Sequence, residues 1–247
     1  MRRAFPAEAA LRGSDFHDIV TNPDAVEIRG LRFGWPGGAP LLAIENFAVG
    51  RGERVLLQGA SGSGKSTLLA LIGGVLQPHR GKVMVLGHDL AALGSRERDR
   101  LRGASLGFIF QLFNLLPYLN VLDNVMLPLR FSRQRRASLA GQDPRAEAVR
   151  LLESLGIASD LHDRIVTQLS IGQQQRVASA RSLIGAPALV IADEPTSALD
   201  HKSREDFLRT LGAELLRQRA SLLFVSHDPG LGANFDRIVT MDEINSA

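Results

Sequence analysis

The sequence predicts an α/β layered fold built around a parallel sheet. Four short apolar runs, at residues 54–58, 106–110, 189–192 and 222–226, lack the alternation of a half-exposed strand, so we expect strands that are buried on both faces. Helical patterns separate these runs, which favours helices layered on a sheet. In addition, 45% of the 247 residues are apolar, an ordinary value for a globular protein with a sizeable core.

Composition limits the class of the protein. Residues 1–24 contain two prolines and no sustained periodicity, so we predict an N-terminal tail followed by one domain at 25–247. The longest apolar stretch, 67–76, is far shorter than the roughly 20 residues of a membrane span. The net charge of +3 is too small to indicate a nucleic-acid ligand, and there is no cysteine for disulfides or thiolate metal sites. We predict that the basic cluster at 130–136 (RFSRQRR) is a solvated loop, and the alternative is an interface.

One helix has a clear beginning and end. Asp143 can cap it, and Pro144 suits its first turn. Three leucines between 151 and 155 share one face, and Gly156 can end the helix.

The segment GASGSGKST has the pattern G-x-x-x-x-G-K-S/T of a phosphate-binding loop. It lies between the apolar run at 54–58 and a helical pattern, which is the context that the motif requires. Its glycines allow backbone N–H groups to approach phosphate oxygens, and the helix N-terminus adds partial positive charge. Lys65 would neutralise the β- and γ-phosphates, and Ser66 would bind Mg²⁺. The alternative is a glycine- and serine-rich turn with an exposed lysine. The predicted nucleotide-binding residues of this loop are Gly59, Ala60, Ser61, Gly62, Ser63, Gly64, Lys65, Ser66 and Thr67.

Two carboxylates follow the apolar run in LVIADEP, residues 189–195. An acid at the end of a central strand is typical of the Mg²⁺ site beside a bound nucleotide. We expect Asp193 to hold the metal and Glu194 to polarise the attacking water. A helix-capping pair is the alternative for the two carboxylates, and the phosphate-binding loop favours the catalytic interpretation.

The stretch QLSIGQQQRVASARSLI, residues 168–184, resembles the LSGGQ signature and the following Q-x-R-V-A-x-A-R-A/S-L of ABC (ATP-binding cassette) ATPases. The resemblance covers nearly the whole chain from about residue 26. It implies that Trp35 stacks on adenine, that Gln111 senses Mg²⁺ and a membrane partner, and that His227 contacts the γ-phosphate. Without the family resemblance, Trp35 could be a core residue, and Gln111 and His227 could be polar residues at the ends of strands.

The same resemblance implies the architecture and the assembly. The expected fold is a P-loop NTPase (RecA-like) core with a small antiparallel β subdomain and a helical subdomain inserted at about 112–172. Two cassettes would face head to tail, with each ATP between the phosphate loop of one copy and Ser170, Gly172 and Gln173 of the other. Ile171 stands where the family has glycine, which is compatible with a helix start only if its φ is not positive.

The segment FNLLPYLNVLDNVMLPL, residues 113–129, is similar to ATPases of the lipoprotein-releasing and macrolide-export group. This similarity implies a separate integral membrane permease, of the FtsX or MacB type, and a peripheral location on the cytoplasmic face of the inner membrane. The cargo would be exported or would be a lipoprotein, lipid or peptide. One alternative is a signalling ATPase of the cell-division FtsE type. Another is a DNA-repair ABC ATPase, but the long heptad repeats of that class are missing from the sequence, and we expect no nucleic-acid partner.

Overall fold

The structure, a computed structural model, describes residues 23–247. The tail predicted at 1–24 therefore lies outside the described residues, apart from its last two. The strands of the described chain are β1 (Val26–Gly34), β2 (Pro40–Val49), β3 (Arg54–Gln58), β4 (Arg80–Val85), β5 (His88–Asp89), β6 (Leu106–Ile109), β7 (Leu189–Asp193), β8 (Ser221–Ser226) and β9 (Arg237–Thr240). The helices are α1 (Lys65–Ile72), α2 (Ser95–Ser105), α3 (Val121–Phe131), α4 (Arg133–Ala137), α5 (Pro144–Ser154), α6 (Ile171–Leu183), α7 (His201–Gln218) and α8 (Met241–Ile244).

Five strands form the parallel sheet, in the order β6-β7-β8-β3-β9. Its central strands are buried on both faces. In β8, Leu222 and Phe224 join the apolar cluster that contains α3, α5, α6 and α7, whereas Leu223 and Val225 join the cluster on the α1 side. The sequence-based prediction of buried parallel strands is confirmed at the four predicted runs, and β9 is an additional edge strand.

The second sheet is antiparallel, in the order β2-β1-β4-β5. Strands β1 and β2 pair from Val26 opposite Val49, and β4 adds to the other side of β1. Its apolar face packs in one cluster with α1 and with one face of the parallel sheet. This sheet supplies the small antiparallel β subdomain, so the fold class is confirmed.

Helices α3, α4 and α5 lie between β6 and α6, within the predicted insertion. Helices α3, α5 and α6 pack on one another through a common apolar cluster. The predicted cap of α5 is confirmed, because the Asp143 carboxylate accepts hydrogen bonds from the N–H groups of Arg145 and Ala146 at 3.3 and 3.2 Å. The subdomain boundary at 112–172 stays a prediction.

The buried Asn124 side chain fixes the loop that leads into α3. Its Oδ1 accepts a hydrogen bond from Leu116 N at 2.8 Å, and its Nδ2 donates to Leu116 O at 3.1 Å. An amide that bonds both backbone groups of one residue holds that residue in a single orientation.

The interpretation of residues 130–136 as a solvated loop is wrong. Phe131 ends α3, residues 133–137 form α4, and the Arg135 side chain is buried. Its guanidinium donates to the carbonyl oxygens of Ser182, Ile184 and Leu106, which are at the end of α6 and the start of β6. Burial lowers the pKa of Arg135 to about 10, so the group is still charged at neutral pH. A guanidinium tolerates burial when carbonyl dipoles take up its donors.

No helix within residues 23–247 combines the length and the apolar character of a membrane span.

Candidate nucleotide-binding and catalytic site

The predicted site residues follow the carboxyl ends of neighbouring parallel strands. The phosphate-binding loop follows β3, Gln111 follows β6, Asp193 ends β7 and His227 follows β8. The register aligns these ends, with Gln58 opposite Ser226 and Asp193 opposite Val225. In an open α/β sheet this edge is where ligands bind.

Residues 59–64 turn from β3 into α1. Gly64 caps α1 with φ 95°, a left-handed conformation that favours glycine. A Cβ atom at Gly64 would also lie 2.7 Å from Leu42 Cδ2 of the antiparallel sheet. The buried ammonium of Lys65 donates to the carbonyl oxygens of Gly59 and Ala60 at 2.8 and 2.7 Å. The loop therefore places one positive charge and the N-terminus of α1 together, an arrangement that suits phosphate.

Asp193 and Ser66 form an oxygen pair beside this loop. The Ser66 hydroxyl donates to Asp193 Oδ2 at 2.9 Å. Burial raises the pKa of the Asp193 carboxyl above its usual range, the hydrogen bond from Ser66 opposes this rise, and the charge of Glu194 adds to it. A serine hydroxyl and a carboxylate are hard oxygen donors, the type that Mg²⁺ prefers.

Glu194 lies between a lysine and a histidine. His227 Nδ1 lies 3.1 Å from Glu194 Oε2, and Lys65 Nζ lies 4.0 Å from Glu194 Oε1. The backbone of Glu194 has φ 43°, an uncommon value for a residue with a side chain. Its N–H donates to Val225 O at 3.0 Å, which ties this strained turn to β8. Strain held in this way is typical of functional positions.

One cavity of about 320 Å³ brings together the residues from several strand ends. The structure places Gln111, Asp193 and Glu194 on its wall with much of the phosphate-binding loop. The residues that line it are Leu41, Ser61, Gly62, Gly64, Lys65, Ser66, Thr67, Gln111, Asp193 and Glu194. His227 joins the site through Glu194, whereas Trp35, Ser170, Gly172 and Gln173 do not line this cavity.

Trp35 lies in the turn between β1 and β2 and is 52% exposed. The interpretation of Trp35 as an ordinary core residue is therefore wrong. Its ring packs edge-on against Phe33, with ring centroids 5.4 Å apart. This contact leaves a large part of the indole ring free to stack on a flat ligand.

The signature begins helix α6. The Ser170 hydroxyl accepts from Gln173 N at 3.3 Å, and the Gln173 side chain accepts from Ser170 N at 2.9 Å, and the two bonds form a capping box. Ile171 is the first residue of α6 and has helical backbone geometry, so its β-branched side chain meets no conformational obstacle. That side chain is 57% exposed.

Sequence reasoning missed two residues that connect the loops of the site. The Arg204 guanidinium of α7 bonds the Asp228 carboxylate and donates to Leu199 O at 3.2 Å. It thereby joins residues 197–200, which directly precede α7, to the loop that carries His227. Asp228 directly follows His227 in the sequence, but nothing in the spacing indicates that its partner is Arg204.

A sequence profile described as ABC transporter matches residues 42–197. The chain belongs to the ABC transporter family. As a member of this family it is an ATP-binding and ATP-hydrolysing subunit, and the family resemblance of the signature is confirmed.

Two curated relatives of this ABC ATPase are both described as the lipoprotein-releasing system ATP-binding protein LolD. The lipoprotein-releasing system ATP-binding protein LolD of Anaeromyxobacter dehalogenans is 44% identical over 219 residues, which cover 87% of this chain and 90% of that protein. LolD of Pseudomonas syringae pv. tomato is 42% identical, with 77% and 82% covered. Among solved structures, the ABC ATPase is similar to a dimeric post-hydrolysis state of the ATP-binding cassette MJ0796 bound to ADP and Pi. The TM-score is 0.77 at 33% identity, and the alignment covers 89% of this chain and 94% of that one.

Proposed function

We propose that this chain is the ATP-hydrolysing motor of a lipoprotein-releasing type of transporter and drives a separate integral membrane permease. The observation that carries the proposal is the cavity at the strand ends, where the phosphate-binding loop meets Gln111, Asp193 and Glu194. The relatives named as lipoprotein-releasing ATP-binding proteins support the cargo class. A motor that drives such a permease would lie at the cytoplasmic face of the inner membrane.

In this proposal the loop from Gly59 to Thr67 binds the phosphates of ATP. Backbone N–H groups and Lys65 neutralise the phosphate oxygens. Ser66, Asp193 and Gln111 would hold Mg²⁺, since all three line the cavity with oxygen atoms and the first two lie in direct contact. When bound, Mg²⁺ supplies positive charge at the β- and γ-phosphates.

Glu194 then serves as the general base for the attacking water. Its carboxylate lies on the cavity wall and within hydrogen-bond distance of His227, which would orient it and contact the γ-phosphate of bound ATP. One proton of the attacking water would pass to Glu194 as the water oxygen bonds the γ-phosphorus and the bond from that phosphorus to the bridging oxygen of ADP breaks. Lys65 would stabilise the charge on the phosphates.

A second copy of the chain completes each site. Ser170, Gly172 and Gln173 stand at the N-terminus of α6, where free N–H groups and the helix dipole favour a phosphate. Because these residues do not line the cavity of their own chain, we assign them to the ATP of the opposing copy.

Mg-ATP is expected to change the emission of Trp35, because adenine would stack on its exposed indole ring. Trp35 is the only tryptophan of the chain, so the signal has one source. Titration with Mg-ATP checks this, and Trp35→Phe gives the baseline without indole emission. The stacking assignment fails if saturating Mg-ATP leaves the emission of the parental chain unchanged.

An apolar groove of about 330 Å³ lies beside β6 and α3, and we assign it to the permease. Its wall includes Phe108 and Phe110, whose rings stack with centroids 5.6 Å apart, together with Leu127 and Phe131. Phe131 is 82% exposed and Phe110 is 39% exposed, so aromatic side chains face outward here. Exposed apolar patches of this kind mark interaction sites.

Phe131→Asp is expected to lower recovery of the chain with membranes at least roughly tenfold, because a carboxylate in an apolar interface costs more than about 1.4 kcal/mol. The measurement is the fraction of tagged chain in the membrane pellet of its native cells, with co-isolated membrane proteins identified by mass spectrometry. Leu216→Asp is the matched control, since Leu216 is 80% exposed at the end of α7 and does not line the groove. Equal loss in both variants would exclude the groove as the dock.

The co-isolated protein also separates transport from signalling of the FtsE type. A permease that moves a lipoprotein supports the proposal, whereas a cell-division partner without cargo supports the signalling alternative. The DNA-repair alternative fits poorly, because the helices between the phosphate-binding loop and α6 have at most 11 residues, too short for long coiled coils.

A further inference from the structure

The segment after Gln111 has a strained backbone. Phe113 and Asn114 have φ values of 58° and 50°, so two successive residues with side chains lie in the left-handed region. A residue with a side chain is less stable in this conformation than in the right-handed one, although asparagine tolerates it better than phenylalanine. Such a turn persists only where other parts of the structure hold it.

One side chain of α6 holds this turn. Arg181 Nη1 donates to Asn114 O at 2.6 Å, and Arg181 Nη2 donates to Phe113 O at 2.5 Å. The planar guanidinium thus bonds both strained residues at once, which a lysine cannot do. Burial lowers the pKa of Arg181, because its charge is partly removed from water.

The position of Arg181 connects three parts of the molecule. It lies near the end of α6, the helix that begins with the signature at Ser170. It holds the segment that follows Gln111, which lines the ATP cavity. Arg181 and Asn114 also line the apolar groove that we assign to the permease. The two hydrogen bonds of Arg181 thus connect the groove and α6 with the segment that follows Gln111.

We propose that Arg181 is a positioning residue that fixes the turn at Phe113 and Asn114, sets Gln111 at the ATP cavity and ties this loop to the signature helix. This inference rests on the proposed function, because it assigns Arg181 to the control of Mg²⁺-dependent hydrolysis through Gln111. It differs from a packing role, since both hydrogen bonds of the Arg181 guanidinium go to the loop that follows Gln111.

The test compares Arg181→Met with Arg176→Met. Arg176 lies on the same helix and also donates to a backbone carbonyl, Leu155 O at 2.7 Å, but not to the turn. Arg181→Met is expected to lower kcat by roughly 10- to 100-fold, as misplacement of a catalytic group does. The Mg²⁺ concentration for half-maximal activity should rise, with KM for ATP unchanged. Amide hydrogen exchange at 110–115 should accelerate in the nucleotide-free chain.

Two further variants keep the test decisive. Arg181→Lys preserves the charge but lacks the planar fork, so it should fold and still show faster exchange at 110–115 and a shifted Mg²⁺ dependence. Gln111→Ala tests the proposed function itself. If this variant leaves the Mg²⁺ dependence unchanged, Gln111 does not bind Mg²⁺, whatever the Arg181 variants show. If Gln111→Ala shifts the Mg²⁺ dependence but the Arg181 variants match Arg176→Met in exchange and Mg²⁺ dependence, the inference about Arg181 is overturned.

Discussion

Glu194→Gln is expected to lower ATP turnover by at least roughly 10²- to 10⁴-fold, the usual contribution of a general base, while ATP binding is retained. The amide cannot accept the proton of the attacking water, whereas Lys65 and the phosphate-binding loop are unchanged. The contact with His227, 3.1 Å from the carboxylate, shows where the acceptor oxygen lies. Because the amide has nearly the same shape as the carboxylate, the strained backbone of residue 194 should persist.

Phosphate release at saturating Mg-ATP measures turnover, and the emission of Trp35 measures binding in the same samples. Glu205→Gln is the matched control, since Glu205 is an exposed glutamate of α7 outside the cavity. We expect its turnover to equal that of the parental chain. A Glu194→Gln variant that hydrolyses ATP at the parental rate would show that another group is the base.

Arg135→Met is expected to lower the free energy of unfolding by about 3 kcal/mol, because three buried carbonyl groups lose their donor and each costs roughly 1–3 kcal/mol. Part of this loss is offset, since the variant no longer buries a charge. The methionine fills much of the same volume, so the lower free energy of unfolding would come from the lost hydrogen bonds more than from a cavity. The carbonyls belong to Ser182, Ile184 and Leu106.

Urea unfolding followed by circular dichroism checks this prediction. Arg133→Met is the matched control, because Arg133 begins the same helix and is exposed. We expect the control to change the free energy by less than about 0.5 kcal/mol, as surface substitutions do. If the two variants unfold at the same urea concentration, the buried guanidinium does not stabilise the junction of α4, α6 and β6.

The sequence alone was sufficient for the features that depend on local spacing. A phosphate-binding loop is a continuous segment, and its glycines, lysine and serine act within one strand-to-helix turn. The Asp193-Glu194 pair follows a continuous apolar strand, and the capping boxes and caps at Ser170 and Asp143 act within three residues. These patterns can be recognised in the sequence because the interacting groups are neighbours in the chain.

Other features could be recognised only in the folded structure. Strand β9 escaped the pattern analysis because it is a short edge strand in which Arg237 and Ile238 are exposed, so no continuous apolar run indicates it. The basic cluster at 130–136 was misread for a related reason. Six of its seven residues are polar or charged, and only the packing of α4 on the end of α6 turns Arg135 inward.

The sequence by itself determined the family, the strand-and-helix core and the identity of the predicted catalytic carboxylate. Tertiary structure alone decided which loops lie at the ATP cavity and which arginines hold them. Arg181 is 67 residues from Asn114, and Arg204 is 24 residues from Asp228. A backbone carbonyl accepts a hydrogen bond whatever its side chain is, so the partners of Arg181 leave no residue type in the sequence for spacing to detect. The Asp228 carboxylate is one of many acidic groups with which Arg204 could pair. The order of the parallel strands brings those carbonyls within reach, and that order is set by the packing of the whole chain.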